Sequence, residues 1–205
     1  SVAQKTIEQV AEVLRRGEPT VILMGGSLML EKGLWLSGRV ARASGARIIG
    51  QRVNGRTQRG AGRAVIDRLP YPVKPALETL RGTAHLILVG AKPPVSFFAW
   101  PNMPNWLTPK DCQIHTLAEG DQGGIEALEI LADLLNSPSE PERLYELRIP
   151  PLPTGELTAG KVWQVLAALI PAEAIVSDEG ITSSRDAEKW ISGAPPHDWL
   201  NITGG

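Results

Sequence analysis

Apolar residues along this chain alternate between two rhythms. Ile7, Val10, Ala11 and Leu14 fall at i, i+3, i+4 and i+7, one face of a helix that Gly17 stops. Thr20-Val21-Ile22-Leu23-Met24 is a short apolar run between Pro19 and Gly25-Gly26, the pattern of a parallel strand buried on both faces. Ser27 is placed to cap a second helix running to about Ala43, Gly45 ends it, and Ala46–Gly50 reads as a second strand. Pro75–Leu80 predicts a short helix. His85–Gly90 is the clearest strand, and Gln113–Leu117 is a further one. Val95–Trp100 reads as a short strand or an apolar loop. Ile125, Leu128, Leu131, Ala132 and Leu135 share one helix face. Strands alternating with helices predict an α/β fold: a doubly wound, mostly parallel sheet with helices on both faces.

Two stretches break the rhythm. Residues 51–73 are polar and rich in Gly and Arg, and read as one long loop of the functional or mobile kind. Ser137-Pro138-Ser139-Glu140-Pro141 and Ile149-Pro150-Pro151-Leu152-Pro153 exclude a helix or a central strand, so 137–156 reads as a Pro-rich linker. The domains are therefore 1–136 and 157–205. In the second, Thr158 caps a helix with Val162, Val165, Leu166 and Leu169 inward. Ala174–Val176 is a strand, Thr182–Ile191 a helix and Trp199–Ile202 a strand. That stretch is too short for an independent core. It ends on a Gly-Gly turn, as a chain cut in the middle of a ligand-binding unit would.

Composition narrows the partners. A net charge of −1 gives no electrostatic reason to expect nucleic acid or an anionic membrane. No apolar stretch reaches the length of a membrane span. Cys112 stands alone, which excludes an intramolecular disulfide and a cysteine metal cluster and fits a reducing cytoplasm. His85, His115 and His197 show no metal-like spacing and read as surface or satisfied core histidines. Six of the ten aromatic residues are Trp. The segment holding Phe97, Phe98, Trp100, Met103 and Trp106 reads as an interface.

Candidate chemistry lies in turns that follow strands, where α/β proteins bind ligands. Thr182 and Ser183 would open a helix whose free N–H groups and partial positive charge suit a phosphate. Gly180 would allow close approach. An ordinary helix cap is the plainer account of the same residues. Asp178 and Glu179 would repel phosphate, so they are expected to orient the turn or contact substrate or a partner subunit. Gly25-Gly26-Ser27 looks like a dinucleotide loop, and with Arg59 and its neighbours Arg56 and Arg63 it is a candidate for FAD. The Gly-x-Gly-x-x-Gly fingerprint is incomplete, however, because Leu28 and Met29 follow. A tight turn and a solvated basic loop are the alternative.

Ser177-Asp178-Glu179-Gly180-Ile181-Thr182-Ser183 resembles the strand-end segment that holds the cofactor's diphosphate in thiamine-diphosphate-dependent enzymes of the acetolactate synthase and benzoylformate decarboxylase family. Thr203-Gly204-Gly205 resembles the start of that family's Gly-rich turn against the aminopyrimidine ring. Arg59-Gly60-Ala61-Gly62-Arg63 and Leu88–Val95 are similar to the acetolactate-synthase-like branch. The resemblance covers the whole chain and rests on the order of these motifs. It implies a central domain at 1–136 and the opening of a pyrophosphate-binding domain at 157–205.

By the same resemblance, Gly180, Ile181, Thr182, Ser183, Gly204 and Gly205 contact thiamine diphosphate, with a carbonyl near Gly205 accepting from the pyrimidine amino group. The Mg²⁺ motif would lie past Gly205 and the activating glutamate before Ser1, so no catalytic or metal-binding residue is expected in this chain. The parent would be a homo-oligomer, dimer or tetramer, that decarboxylates a 2-oxo acid and either releases an aldehyde or ligates the fragment to an acceptor. This piece alone, lacking its partner domains, would be inactive. The rival readings are a non-catalytic FAD-, NAD- or ADP-binding module and a structural spacer.

Overall fold

The computed structural model describes residues 1–120 and 122–202. In chain order the elements are α1 (Gln4–Arg15), β1 (Thr20–Met24), a 3₁₀ turn (Gly26–Met29), α2 (Glu31–Ser44), β2 (Arg47–Gly50), β3 (Arg56–Arg59) and β4 (Asp67–Arg68). They continue with α3 (Val73–Leu80), β5 (His85–Val89), β6 (Gln113–Ala118), α4 (Gly124–Leu134), α5 (Ala159–Leu169), β7 (Ile175–Asp178), α6 (Ala187–Ile191) and β8 (His197–Asn201). They form two compact units.

The first unit holds residues 1–52 and 66–142. Its sheet runs β4-β2-β1-β5-β6 with every neighbouring pair parallel. That is the doubly wound order, which reverses direction between β1 and β5. All five residues of β1 and of β5 are buried, which explains why both are unbroken apolar runs rather than alternating ones. Val21, Leu23, Ile49, Leu86 and Leu88 face one side and pack on Val73, Ala76 and Leu80 of α3 and on Leu107. The two-residue period turns Ile22, Met24, Ile87 and Val89 to the opposite side. There α2 packs on α4 and α1 on α4, with α1 and α4 along β6 and α2 along β2. Each fully buried aliphatic side chain contributes about 1.5–3 kcal/mol. Gly45, at φ 73°, ends α2 by donating its N–H to the Ala41 carbonyl at 2.8 Å.

The second helix starts later than its sequence pattern suggests. Ser27 lies inside the 3₁₀ turn, and Leu30 occupies the cap position of α2 with no side-chain cap. Val95 and Trp106 meet in an isolated antiparallel bridge, so the aromatic segment is a loop.

The second unit holds residues 53–65 and 143–205. Its sheet runs β3-β8-β7, with β3–β8 antiparallel and β7–β8 parallel. Residues 51–73 are therefore not one loop. They carry β4, which ends the first sheet, and β3, which completes the second. Both strands are short and polar, so neither carries an apolar period, and the partner of β3 lies about 140 residues further on. Trp199, 1% exposed, centres the small core with Ala167, Ile170, Ala187, Ile191 and Ala194. The Trp163 ring lies 5.5 Å away. The Arg59 guanidinium stands 4.3 Å from the Trp199 ring centroid while pairing with Glu188 at 2.9 Å. All the side chains of this small core lie within 157–205, and 53–65 adds the edge strand β3 and the Arg59 cation over Trp199.

Thr158 caps α5 as expected, accepting from the Lys161 N–H at 3.3 Å. Val162 and Leu169 nevertheless face outward at 48% and 64% exposure, and only Ala167 of α5 is fully buried. The sheet beneath is narrow and cannot cover a full helix face. His197 lies in β8 and is buried, a core histidine rather than a surface one.

Candidate functional site

The turn after β7 is built from its own polar groups. Asp178, 9% exposed at the end of β7, accepts from the Gly180 N–H at 2.9 Å through Oδ1 and from Asn201 Nδ2 at 3.1 Å through Oδ2. The Asp178 carbonyl accepts from the Ile202 N–H at 3.3 Å. These bonds tie the carboxyl ends of two parallel strands, β7 and β8, side by side. One carboxylate oxygen thereby holds the turn at Gly180 and the other holds the end of β8 at Asn201.

The turn then folds tightly. The Ser184 N–H donates to the Gly180 carbonyl at 3.0 Å, with a close Ser184 hydroxyl contact to the same oxygen. The Ile181 N–H donates to Glu179 O and the Arg185 N–H to Thr182 O. Trp163 Nε1 anchors the Ser183 carbonyl at 2.6 Å. A side chain at Gly180 would put its Cβ 2.7 Å from Ser183 Oγ. A side chain at 180 would therefore oblige the Ser183 hydroxyl to rotate away.

Residues 181–186 form turns, and α6 begins only at Ala187. Thr182 and Ser183 thus do not open a helix, contrary to the sequence pattern. The internal bonds of Asp178 and Ser184 hold the chain in turns that the sequence period does not register. The N–H groups of Thr182 and Ser183 remain without a protein acceptor among the described residues. With the two exposed hydroxyls they form a small cluster of donors in the turn after β7, a neutral set that suits phosphate oxygens. Gly204 and Gly205, with Thr203, lie outside the described residues. Among the described residues no group of three His, Cys, Asp or Glu can hold a metal ion.

The second candidate, Gly25-Gly26, sits where the strand order of the first unit reverses. Gly25 donates to Val89 O at 3.0 Å, and Gly90 lies at φ 65°. A Cβ on Gly90 would approach Gly25 O to 2.6 Å, and one on Gly25 would strike the Gln51 side chain at 2.5 Å. The backbones of the two turns meet, Leu28 is buried behind them, and a four-residue 3₁₀ turn replaces the helix start that dinucleotide loops use. Arg59, in the second unit, is already occupied by Glu188 and Trp199.

Sequence spacing concealed one polar constellation. His85 Nε2 lies 2.8 Å from Glu18 Oε2 and His85 Nδ1 lies 3.1 Å from His115 Nε2. His85 and His115 meet because β5 and β6 are neighbours, and Glu18 joins them because it precedes β1, whose Thr20 pairs with His85; their separations along the chain carry no signal. Cys112 is half-buried, and burial raises its thiol pKa, away from reactivity. Phe97, Phe98, Trp100 and Trp106 are each 50–57% exposed. No helix is long and apolar enough to cross a membrane.

The chain matches no protein-family model. Over all 205 residues it is 41% identical to a Mycobacterium tuberculosis protein named as an acetolactate synthase large subunit, and it spans 39% of that protein's length. It superposes on the Rhodococcus jostii RHA1 thiamine diphosphate-dependent 4-hydroxybenzoylformate decarboxylase with a TM-score of 0.69 at 16% identity. That superposition covers 98% of this chain and 41% of the decarboxylase, and it is a likeness of fold.

Proposed function

We propose, for a chain that resembles thiamine-diphosphate-dependent enzymes of the acetolactate synthase and benzoylformate decarboxylase group in both sequence and fold, that it is the central stretch of such an enzyme acting on 2-oxo acids. The observation that carries this reading is the turn 178–184. Its free Thr182 and Ser183 amides, its hydroxyls and its closed Gly180 face stand at the paired carboxyl ends of β7 and β8, where a diphosphate would be held.

Thiamine diphosphate, when bound, would supply an electron sink for the electron pair that decarboxylation leaves behind. In this proposal the chain's own residues bind and orient. The amides and hydroxyls of Thr182 and Ser183 donate to the diphosphate oxygens, and Asp178 fixes the turn by holding Gly180 and Asn201. Mg²⁺ would take its ligands from elsewhere in the parent, and the working enzyme would be a cytoplasmic homo-oligomer. The chain by itself would be inactive. For the first unit we favour the spacer role over nucleotide binding, on the observation that Gly25, Gly90, Gln51 and Leu28 fill the crevice where a dinucleotide would lie.

Titration of the chain with thiamine diphosphate and with thiamine tests the site. The diphosphate should add at least about fivefold in affinity, roughly 1 kcal/mol, the worth of one or two hydrogen bonds to a charged group. Gly180→Val should remove that difference while Trp199 stays buried by fluorescence. Equal binding of the two compounds by the unaltered chain would sink the proposal.

A further inference from the structure

A separate cavity of about 370 Å³ opens in the second unit, lined by Arg148, Ile149, Pro150, Pro151, Lys189 and Trp190. Its wall is held at both ends. Arg148 N–H donates to Gly193 O at 2.7 Å, and Gln164 Nε2 donates to Pro151 O at 2.7 Å. The segment 148–151 thereby runs from beyond the C-terminal end of α6 to α5, with Ile149, the two prolines and the Trp190 ring as an apolar lining. Its prolines stiffen the wall, so little order has to be created on binding.

Two cations stand at the lining. One Arg148 guanidinium nitrogen donates to the Lys189 carbonyl at 3.2 Å, and Lys189 Nζ lies 5.3 Å from the Trp190 ring centroid. Neither side chain has a carboxylate partner among the described residues. An apolar slot with unpaired cations selects a ligand with an apolar body and one negative charge. The guanidinium suits a carboxylate through its remaining N–H donors, and the Trp190 face suits a flat or branched body.

We propose that this cavity binds a small monocarboxylate with an aromatic or branched apolar body, its carboxylate between Arg148 and Lys189 and its body against Trp190. The site is distinct from the turn 178–184, and the inference does not rest on thiamine diphosphate.

Phenylacetate serves as the probe and phenylacetamide as its uncharged counterpart, each titrated into the 205-residue chain and followed by calorimetry and by saturation-transfer NMR. Phenylacetate should bind in the millimolar range and the amide at least about tenfold more weakly, the factor that about 1.4 kcal/mol represents. Lys189→Gln changes only an exposed side chain and should weaken phenylacetate about threefold, in keeping with a partly exposed charge pair. Adding Arg148→Gln should bring the loss to about tenfold with an unchanged circular dichroism spectrum. Equal binding of acid and amide, an affinity unaltered in Lys189→Gln, or no binding at about 20 mM, weaker than any useful millimolar site, would each overturn the proposal.

Discussion

His85 is 3% exposed and contacts a partner through each ring nitrogen, Glu18 and His115. Only one hydrogen fits between His85 Nδ1 and His115 Nε2, so protonating both rings would crowd two hydrogens into that contact. Burial first, then the charges of His85 and Arg16, hold the His115 pKa below its ordinary 6.5. Burial first, then the Arg59 and Arg63 charges, hold His197 below 6.5, against the Pro195 carbonyl and Glu188. The hydrogen bond from His85 holds Glu18 below 4.5. A histidine depressed on folding is protonated first in the unfolded chain, so its stabilisation is complete above pH 6.5 and is lost as pH falls below that value. Glu18, depressed likewise, adds stability above pH 4.5 that is lost on further acidification. All three act in the same direction. The urea midpoint should be lower at pH 5.5 than at pH 7.5, and His115→Asn should shrink that difference. A midpoint that does not move with pH between these values would contradict the assignment.

At the scale of elements, β3 is the strand that local pattern conceals. Arg56-Thr57-Gln58-Arg59 has no apolar alternation, yet it forms the antiparallel edge of the second sheet. The Asn201 N–H donates to Gly55 O at 3.2 Å, so Gly55 and Asn201 are a hydrogen-bonded pair. Pairs of that type alternate along an antiparallel ladder, which makes Thr57 and Trp199 the next one. Thr57→Pro removes the donor and leaves a buried carbonyl unpaired, a cost of about 1–3 kcal/mol. Hydrogen exchange should then quicken in β8 and β7 while β1 and β5 keep their protection. Faster exchange in β1 and β5 instead would show that β3 serves the first unit. The shortened α6 has the same kind of cause. Thr182–Ile191 has helix-like apolar spacing, but the bonds of Asp178 and Ser184 hold 178–186 in turns.

At the scale of the whole molecule, each unit has its own sheet and its own core. The second exposes Leu157, Leu169, Ile175 and Ile181 at 64–79%, more apolar surface than so small a fold can cover with three strands. The chain spans 39% of the length of its acetolactate-synthase-named relative. Supplied with thiamine diphosphate, Mg²⁺ and pyruvate or benzoylformate, the 205-residue chain should release no carbon dioxide above the protein-free rate. Sustained release would show that the catalytic groups are already present within it.

The apolar periods alone determined β1, β2, β5, β6, α1 and α4, because burial on one face or two is a local property that each short segment carries in its own residues. Tertiary structure decided what depends on residues far apart. It pairs Arg56–Arg59 with His197–Asn201, brings Glu18, His85 and His115 into one line, and closes Gly25 against Gly90. It also turns Val162 and Leu169 of α5 outward. A hydrogen-bonded ladder or a backbone contact is specified by two distant segments together, and neither segment shows it by itself.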